Sequence, residues 1–273
     1  MKKIILCLAL VLSLLGCQVE DNTIYWVMLC KTEVDDMDLY SYFYDEVYTL
    51  PSELEEVKEI ENVLEIKPLY KFDPNYYRED STPSPTTITL YKDNEPIHQM
   101  YSGFENQENF GAFDIWGYPE ELDMTAHCID VYEEEVSIPC FIHEFEAKAL
   151  GLTSLDAHYQ LEIDNLAIPV SNSIYDQYLD DSSIFKVSYD NKHMFTSLHV
   201  TFDIKGILTK EIDNTQGQFY VPLEWMYTCL KEHQIEPVDT YNYLLKVKDR
   251  DTLDKVKEID DNFRIVSYPV YND

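Results

Sequence analysis

The stretch Leu54–Ile66, "LEEVKEIENVLEI", returns near the other end of the chain as "LDKVKEIDDNFRI", Leu253–Ile265, with no tandem repeat between the copies. In the first copy Leu54, Val57 and Ile60 recur at helical spacing, Pro51 suits a first helical turn, and "VLEIKPLYKF" then changes to strand-forming residues. In the second, Leu253, Val256 and Ile259 form the stripe, Asp251 or Thr252 can cap the amino end, and "FRIVSYPVY" supplies a strand. "YNYLLKVKD" precedes it, which completes a strand, helix and strand within roughly thirty residues. Either "TIYWVMLC" or "LYSYFYDEVYTL" can feed the first helix. Similar β-α-β units at both ends of a chain predict one layer closed by the two termini, with the middle as an insertion.

The middle reads differently. "FDPNYYREDSTPSPTT" concentrates turn and breaker residues and marks a boundary near residue 73. Short strand-like runs follow: "TTITLYK", "FGAFDIW", "VSIPCFI", "HYQLEI", "LAIPV", "IFKVSY" and "SLHVTFDIKGIL". Among them only "HEFEAKALGL" reads as helix, with Phe145, Ala149 and Leu150 apolar and Gly151 at its stop. "FYVPLEWMYTCLKEH" returns to the strand-and-helix style of the ends, with Trp225, Met226, Cys229 and Leu230 as a buried stripe. The expected fold class is α+β. A layer of β-α-β units from residues 23–72 and 215–273 surrounds an inserted β-rich subdomain, 73–214.

The first residues, "MKKIILCLALVLSLLGC", place an apolar run after two lysines, too short to span a bilayer and suited to a secretory leader. Its end, Leu14-Leu15-Gly16-Cys17, resembles the lipobox of bacterial lipoproteins, which implies a leader of residues 1–16, lipidation of Cys17 and a linker over 17–22. Several acyl chains anchor a protein stably where one does not. The chain carries 20 Lys and Arg against 52 Asp and Glu, a formal charge of −32, so it repels nucleic acid and anionic headgroups. No later segment is apolar for long enough to cross a membrane as a helix. Beyond Cys7 and Cys17 four cysteines remain, without a CxxC spacing. An extracytoplasmic setting permits disulfides. Topology favours Cys128 with Cys140 across one turn of the insertion and Cys30 with Cys229 in the terminal layer, with free buried thiols as the alternative.

The order of four further stretches resembles the extracytoplasmic core domain of MacB-like and FtsX-like ABC transporter permeases. They are "LPSELEEVKEIENVLEIKPLY", "FDIWGYPEELD", "IHEFEAKALGLTSLDAHYQLEIDNLAIPV" and "FDIKGILTKEIDNTQGQFYVPLEWMYTCL", spread in order over residues 50–269. The resemblance implies a porter-like subdomain from both chain ends and an inserted sabre-like subdomain, serving partner or ligand binding without catalysis. In that family the core domain lies between transmembrane helices. Here a lipobox stands in place of the first, and the expectation is a lipid-anchored accessory or ligand-sensing part of a transporter system, on the outer face of the cytoplasmic membrane. "TSLDAHYQL" also lacks the Gly usual before the acidic residue of that hairpin.

Signals for catalysis are sparse, and the expectation is a protein without enzyme activity, cofactor or metal. Glycines show neither a GxGxxG nor a P-loop spacing. "HEFEA" begins like HExxH, but Ala147 occupies the second ligand position, so His143 reads as a helix-surface residue. Glu133, Glu134 and Glu135 read as a solvated loop, and no stretch has the spaced oxygens of an EF-hand. The 22 tyrosines and three tryptophans raise a different reading, a free-standing surface lipoprotein that binds carbohydrate or peptide. Trp26 and Trp225 sit in apolar patterns as core residues. Trp116, beside Gly117-Tyr118-Pro119 in an expected turn, is the candidate exposed aromatic for ligand binding, together with Tyr118.

Overall fold

The computed structural model describes residues 24–31, 51–72, 86–101, 114–171, 185–187, 190–209, 218–236, 242–259 and 263–267. The leader and Cys17 lie outside them. In chain order the first elements are β1 (Ile24–Lys31), α1 (Pro51–Lys58), β2 (Val63–Leu69), β3 (Lys71–Phe72), β4 (Thr87–Lys92), β5 (Glu95–Tyr101) and β6 (Asp114–Tyr118). A 3-10 turn, Met124–His127, leads to β7 (Cys128–Val131), β8 (Pro139–His143), α2 (Glu144–Ala149), β9 (Tyr159–Val170), β10 (Phe185–Val187) and β11 (Asp190–Leu208). The last are β12 (Gln218–Pro222), α3 (Leu223–Glu232), β13 (Asn242–Lys248), α4 (Arg250–Lys257) and β14 (Phe263–Ser267).

Among the described residues the strands form two sheets, and the fold is α+β. Four strands from the two chain ends lie in the order β14-β1-β13-β2, every neighbouring pair antiparallel. It follows that β1 and β2 run parallel, as do β13 and β14. The two β-α-β units are therefore interleaved, each sending one strand between those of the other, in the split arrangement of ferredoxin-like folds. The strands after the two "VKEI" helices, β2 and β14, share this sheet at its opposite edges. Of the two candidates for the strand before the first helix, "TIYWVMLC" is β1 in that sheet.

Alternation along the strands divides the burial between two faces. Val27, Leu245 and Val247 point to one side and pack under Val57 of α1 and Leu253 and Val256 of α4. The repeated pattern thus codes for two helices on the same face of one sheet. Trp26, Leu69 and Leu244 point to the other side, where they meet Trp116, Tyr118, Phe141, Leu208, Tyr220 and Leu223 of the larger sheet. Lys67 and Lys246 lie over the Trp26 ring, with Nζ 5.7 and 5.0 Å from its centroid. The two units also touch at their tips. Asn62 Nδ2 donates to Asp249 Oδ2 at 3.3 Å, and the Lys248 N–H donates to Asn62 O at 3.0 Å. The amino cap of α4 is Asp249, two or three residues earlier in the chain than the Asp251 or Thr252 expected; its carboxylate accepts from the Thr252 N–H at 2.8 Å.

The second sheet has ten described strands, with main order β3-β6-β12-β8-β11-β9-β4-β5 and β7 and β10 pairing with β11. Residues 71–72 and 218–222 belong to it, although the sequence boundaries put them with the terminal layer. The reason is burial: Phe219, Tyr220 and Val221 are covered on both faces, which suits an interior strand. "HYQLEI" and "LAIPV" form a single strand, β9. Asn165 adopts φ +61° where the pairing with β11 slips between Leu198 and Val200, so a bulge takes up the irregularity. Asp93 and Asn94, both at positive φ, make the two-residue turn of the β4–β5 hairpin. The α2 helix ends as expected at Gly151, φ +74°, in a Schellman arrangement: the Leu152 N–H donates to Ala147 O at 2.7 Å and the Gly151 N–H to Lys148 O at 3.0 Å. Of its expected apolar stripe Leu150 is buried, but Phe145 is 60% exposed and Ala149 is also exposed, and Ala147 is buried in their place.

Candidate functional site

β6 and β12 run parallel, and a groove of about 620 Å³ opens off their carboxyl ends. That size falls in the range of small-ligand and peptide-side-chain pockets. Three segments build it, and each is held for a local reason.

The first wall is the turn after β6. The Leu122 N–H donates to Pro119 O at 3.0 Å, and Asp123 caps the following 3-10 turn by accepting from the Thr125 N–H at 3.1 Å and hydroxyl at 2.5 Å. The Thr125 hydrogen bond holds the Asp123 carboxyl below its ordinary range, so it is ionised. Glu120, Glu121 and Asp123 stand exposed along this rim. Lys67 reaches Glu121 at 3.8 Å from outside and lies closer, 3.2 Å, to Glu65.

The opposite wall is Ser137-Ile138-Pro139, just before β8. It is tied to β11 by the buried carboxylate of Asp203, which accepts from the Ser137 N–H at 2.9 Å and the Ile138 N–H at 3.4 Å. His158 Nε2 at 2.8 Å and Gln160 Nε2 at 2.9 Å satisfy the other oxygen. Burial acts to raise the Asp203 pKa, but the hydrogen bonds from Gln160, Ser137, His158 and Ile138 outweigh it and hold the group below its ordinary value. Lys205 secures the preceding loop by donating to Tyr132 O at 2.5 Å and Glu134 O at 2.9 Å. Glu133, Glu134 and Glu135 themselves are exposed on that loop.

Floor and third wall are aromatic. Tyr118 packs edge-to-face on Phe141, with centroids 5.4 Å apart and planes at 84°. Burial, with Cys140 and Glu120 nearby, pushes the Tyr118 phenol well above its usual value, so it keeps its proton. Trp225, in the first turn of α3, is half-buried and lines the groove while meeting Phe202 at 4.9 Å and Phe72 at 6.0 Å. Gly117 makes this approach possible. A Cβ there would lie 2.5 Å from Leu223 Cδ1, 3.0 Å from Met226 Sδ and 3.2 Å from Leu223 Cα.

The structure exchanges the roles expected of two tryptophans. Trp116 is 6% exposed, inside the junction between the sheets, because Trp116 and Gly117 continue strand β6 and do not turn. It cannot stack on a ligand from solvent; among the aromatics that line the groove Trp225 is half-buried, while Tyr118 and Phe141 are buried. The signal for Trp225 was in the sequence. At about 100° per residue it lies roughly 130° from the centre of the stripe Leu223, Met226, Leu230, where a large ring is only partly covered. His143 is the amino cap of α2, its Nδ1 accepting from the Phe145 N–H at 3.3 Å, and does not lie on the helix surface.

The cysteine pairing also changes. Cys128, Cys140 and Cys229 are free thiols. Cys140 pairs in register with Ile204 along one edge of β11 and Cys128 with Leu208 along the other. Two strand spacings, roughly 10 Å, lie between them, beyond the reach of a disulfide. Cys128 donates to Met124 O at 3.3 Å. Cys229 is likewise unpaired, so the pairing with Cys30 is not formed; the Cys30 side chain and Cys17 lie outside the described residues.

One side-chain cluster was not foreseen. Glu162 and Asp164 share a face of β9, opposite His199 of β11. His199 Nδ1 lies 2.5 Å from Asp164 Oδ1 and Nε2 4.0 Å from Glu162 Oε2, while the Tyr91 hydroxyl donates to Glu162 Oε1 at 3.1 Å. One ligand atom from each of the three side chains lies within 4.8 Å of the others, a spacing that could hold a metal ion, and the two ring nitrogens face different carboxylates.

No family model and no curated protein matches the chain. Among solved structures it is similar to the periplasmic region of MacB from Actinobacillus actinomycetemcomitans, at 10% identity and TM-score 0.35 over 92% of each chain. It is also similar to a domain from Porphyromonas gingivalis described as a permease, at 14% identity and TM-score 0.33 over 92% of each chain. A third is the extracellular domain of the ABC-type transporter YknZ from Gram-positive bacteria, at 11% identity and TM-score 0.30 over 88% of this chain and 98% of that one.

Proposed function

We propose that the protein is a non-enzymatic, lipid-anchored extracytoplasmic component that receives a ligand or partner in the Tyr118–Trp225 groove and works with an ABC transporter. The observation that supports this reading is the interleaving of both chain ends in one sheet, the arrangement that the porter-like resemblance leads one to expect. The groove adds chemistry suited to binding: an aromatic floor, two prolines and a carboxylate rim. Residues 18–23 join Cys17 to β1, and fully extended they reach roughly 20 Å, so an acylated Cys17 keeps the terminal sheet near the bilayer. Without the leader the charge is −34, which holds the body off anionic headgroups.

Capture of the full-length lipoprotein from membranes in mild detergent should bring down a permease or its ATPase. Repeated capture of neither counts against the reading. Cys17→Ser should release the protein from the membrane fraction, and retention there would remove the anchor. A free-standing surface lipoprotein that binds carbohydrate or peptide is the second reading, favoured by the accessible ring of Trp225. Glycan binding lost in Trp225→Ala, with no permease captured, would select it.

A further inference from the structure

We infer that the groove recognises a cationic side chain, a lysine or arginine carried on an extended segment of a protein partner. The inference rests on the groove being the binding site and names its occupant. Charge and shape point the same way. Glu120, Glu121 and Asp123 line one side, and no lysine, arginine or histidine is among the described residues that line it. Lys67 is shared between Glu121 and Glu65 and so leaves the rim negative. An acidic rim alone would describe much of this surface. What sets the groove apart is that the half-buried Trp225 lines the same cavity, with the buried Tyr118 and Phe141 behind it. An aliphatic stem with a charged head buries its methylenes against such rings, and the head gains both cation–aromatic attraction and carboxylate partners. A carboxylate or phosphate ligand would meet only repulsion at this rim. Tyr118, held protonated by burial, adds no anion beneath it. The partner is a polypeptide because the cavity opens to solvent past the exposed Glu120, Glu121, Asp123 and Thr125 and is walled by Pro139 and Pro222, which leaves room for a chain to enter and leave.

The probe is a fluorescent acetylated and amidated hexapeptide, Gly-Pro-Arg-Pro-Lys-Gly, titrated into the full-length lipoprotein in detergent at 0.15 M ionic strength, about an 8 Å screening length. Its glutamine analogue, with Arg and Lys replaced, serves as the uncharged control. Three carboxylates are removed from the rim in Glu120→Gln/Glu121→Gln/Asp123→Asn, which keeps the Asp123 cap acceptor. The same charge is removed from exposed positions on or just after the two terminal-layer helices in Glu56→Gln/Glu59→Gln/Glu258→Gln. The rim variant and Trp225→Ala should each weaken the peptide about tenfold, the worth of one well-formed cation contact, while the helix variant changes it less than about twofold. Near-ultraviolet circular dichroism establishes that Trp225→Ala is folded, and the rim variant carries the test without it. Equal weakening by both triple variants, or equal binding of the glutamine analogue, overturns the inference. Arginine amide binding as tightly as the hexapeptide overturns the polypeptide occupant in favour of a small cation. Failure of the peptide with successful capture of a permease rejects this inference alone, whereas failure of both rejects the function proposed above.

Discussion

His158 Nε2 lies 2.8 Å from Asp203 Oδ1, and through that carboxylate a histidine before β9 and the backbone before β8 are fastened to one central strand. Four donors converge on a single buried group. The Tyr132 ring leans on the His158 imidazole at 5.6 Å, so the loop carrying the groove wall is held from both sides.

Asp203→Ala should destabilise the fold by roughly 3 kcal/mol, because the Ser137 N–H and the Gln160 amide lose their partner under the loop. The wild-type protein should show a matching acid limb. The folded carboxyl titrates below the unfolded value of about 3.9, so its stabilisation is present above that pH and is lost as pH falls through the lower folded value. Urea melts between pH 6 and pH 3 check both points: the wild-type slope at the acid end should flatten in Asp203→Asn.

Gly117→Ala should cost about 2 kcal/mol, because its new methyl group enters space held by Leu223 and Met226 and neither the Leu223 backbone nor the strand yields easily. Since α3 must shift outward, tryptophan emission should change with stability. A variant of full stability and unchanged spectrum would refute the close helix–strand contact.

Cys128 and Cys140 should remain reduced when the protein is secreted. Burial, with Asp123 and Asp130 adding, pushes the Cys128 thiol up to about 12, and burial pushes Cys140 higher still. Both should therefore resist alkylation in the native protein and react after urea. Peptide mapping that recovers a Cys128–Cys140 disulfide would contradict the placement of these residues on opposite edges of β11.

Asp249 holds φ +81° and ψ 160°, a region open chiefly to glycine, while capping α4. Asp249→Gly should fall within about 1 kcal/mol of wild type, since relief of backbone strain offsets the lost cap. Asp249→Ala keeps the strain and loses the cap, and should cost about 2 kcal/mol. Denaturation of the two variants side by side gives the difference.

Local information was enough for much of this. The period of Leu54, Val57 and Ile60 and its echo at Leu253, Val256 and Ile259 carried the two helices and the strands that follow, since a helix with one apolar stripe must cover a sheet. Gly151 announced the end of α2 through its freedom at positive φ. The runs around Ile88, Ile142 and Phe202 announced strands. Burial within a strand was less legible. After the strand-like "FGAFDIW", Gly117-Tyr118-Pro119 looks like a turn, yet Gly117 lies inside β6 and admits a helix, and Trp116 beside it faces the junction between the sheets.

By itself, then, the sequence determined which segments are helix or strand, that both ends join one layer, and that the surface is strongly acidic; periodicity and charge are properties of neighbouring residues. The tertiary structure decided which edge of β11 each cysteine occupies, which tryptophan faces the groove, and that Glu162, Asp164 and His199 meet. Those outcomes depend on strand order and register between residues far apart in the chain. One step along a strand reverses the face a side chain presents, so no local pattern specifies them.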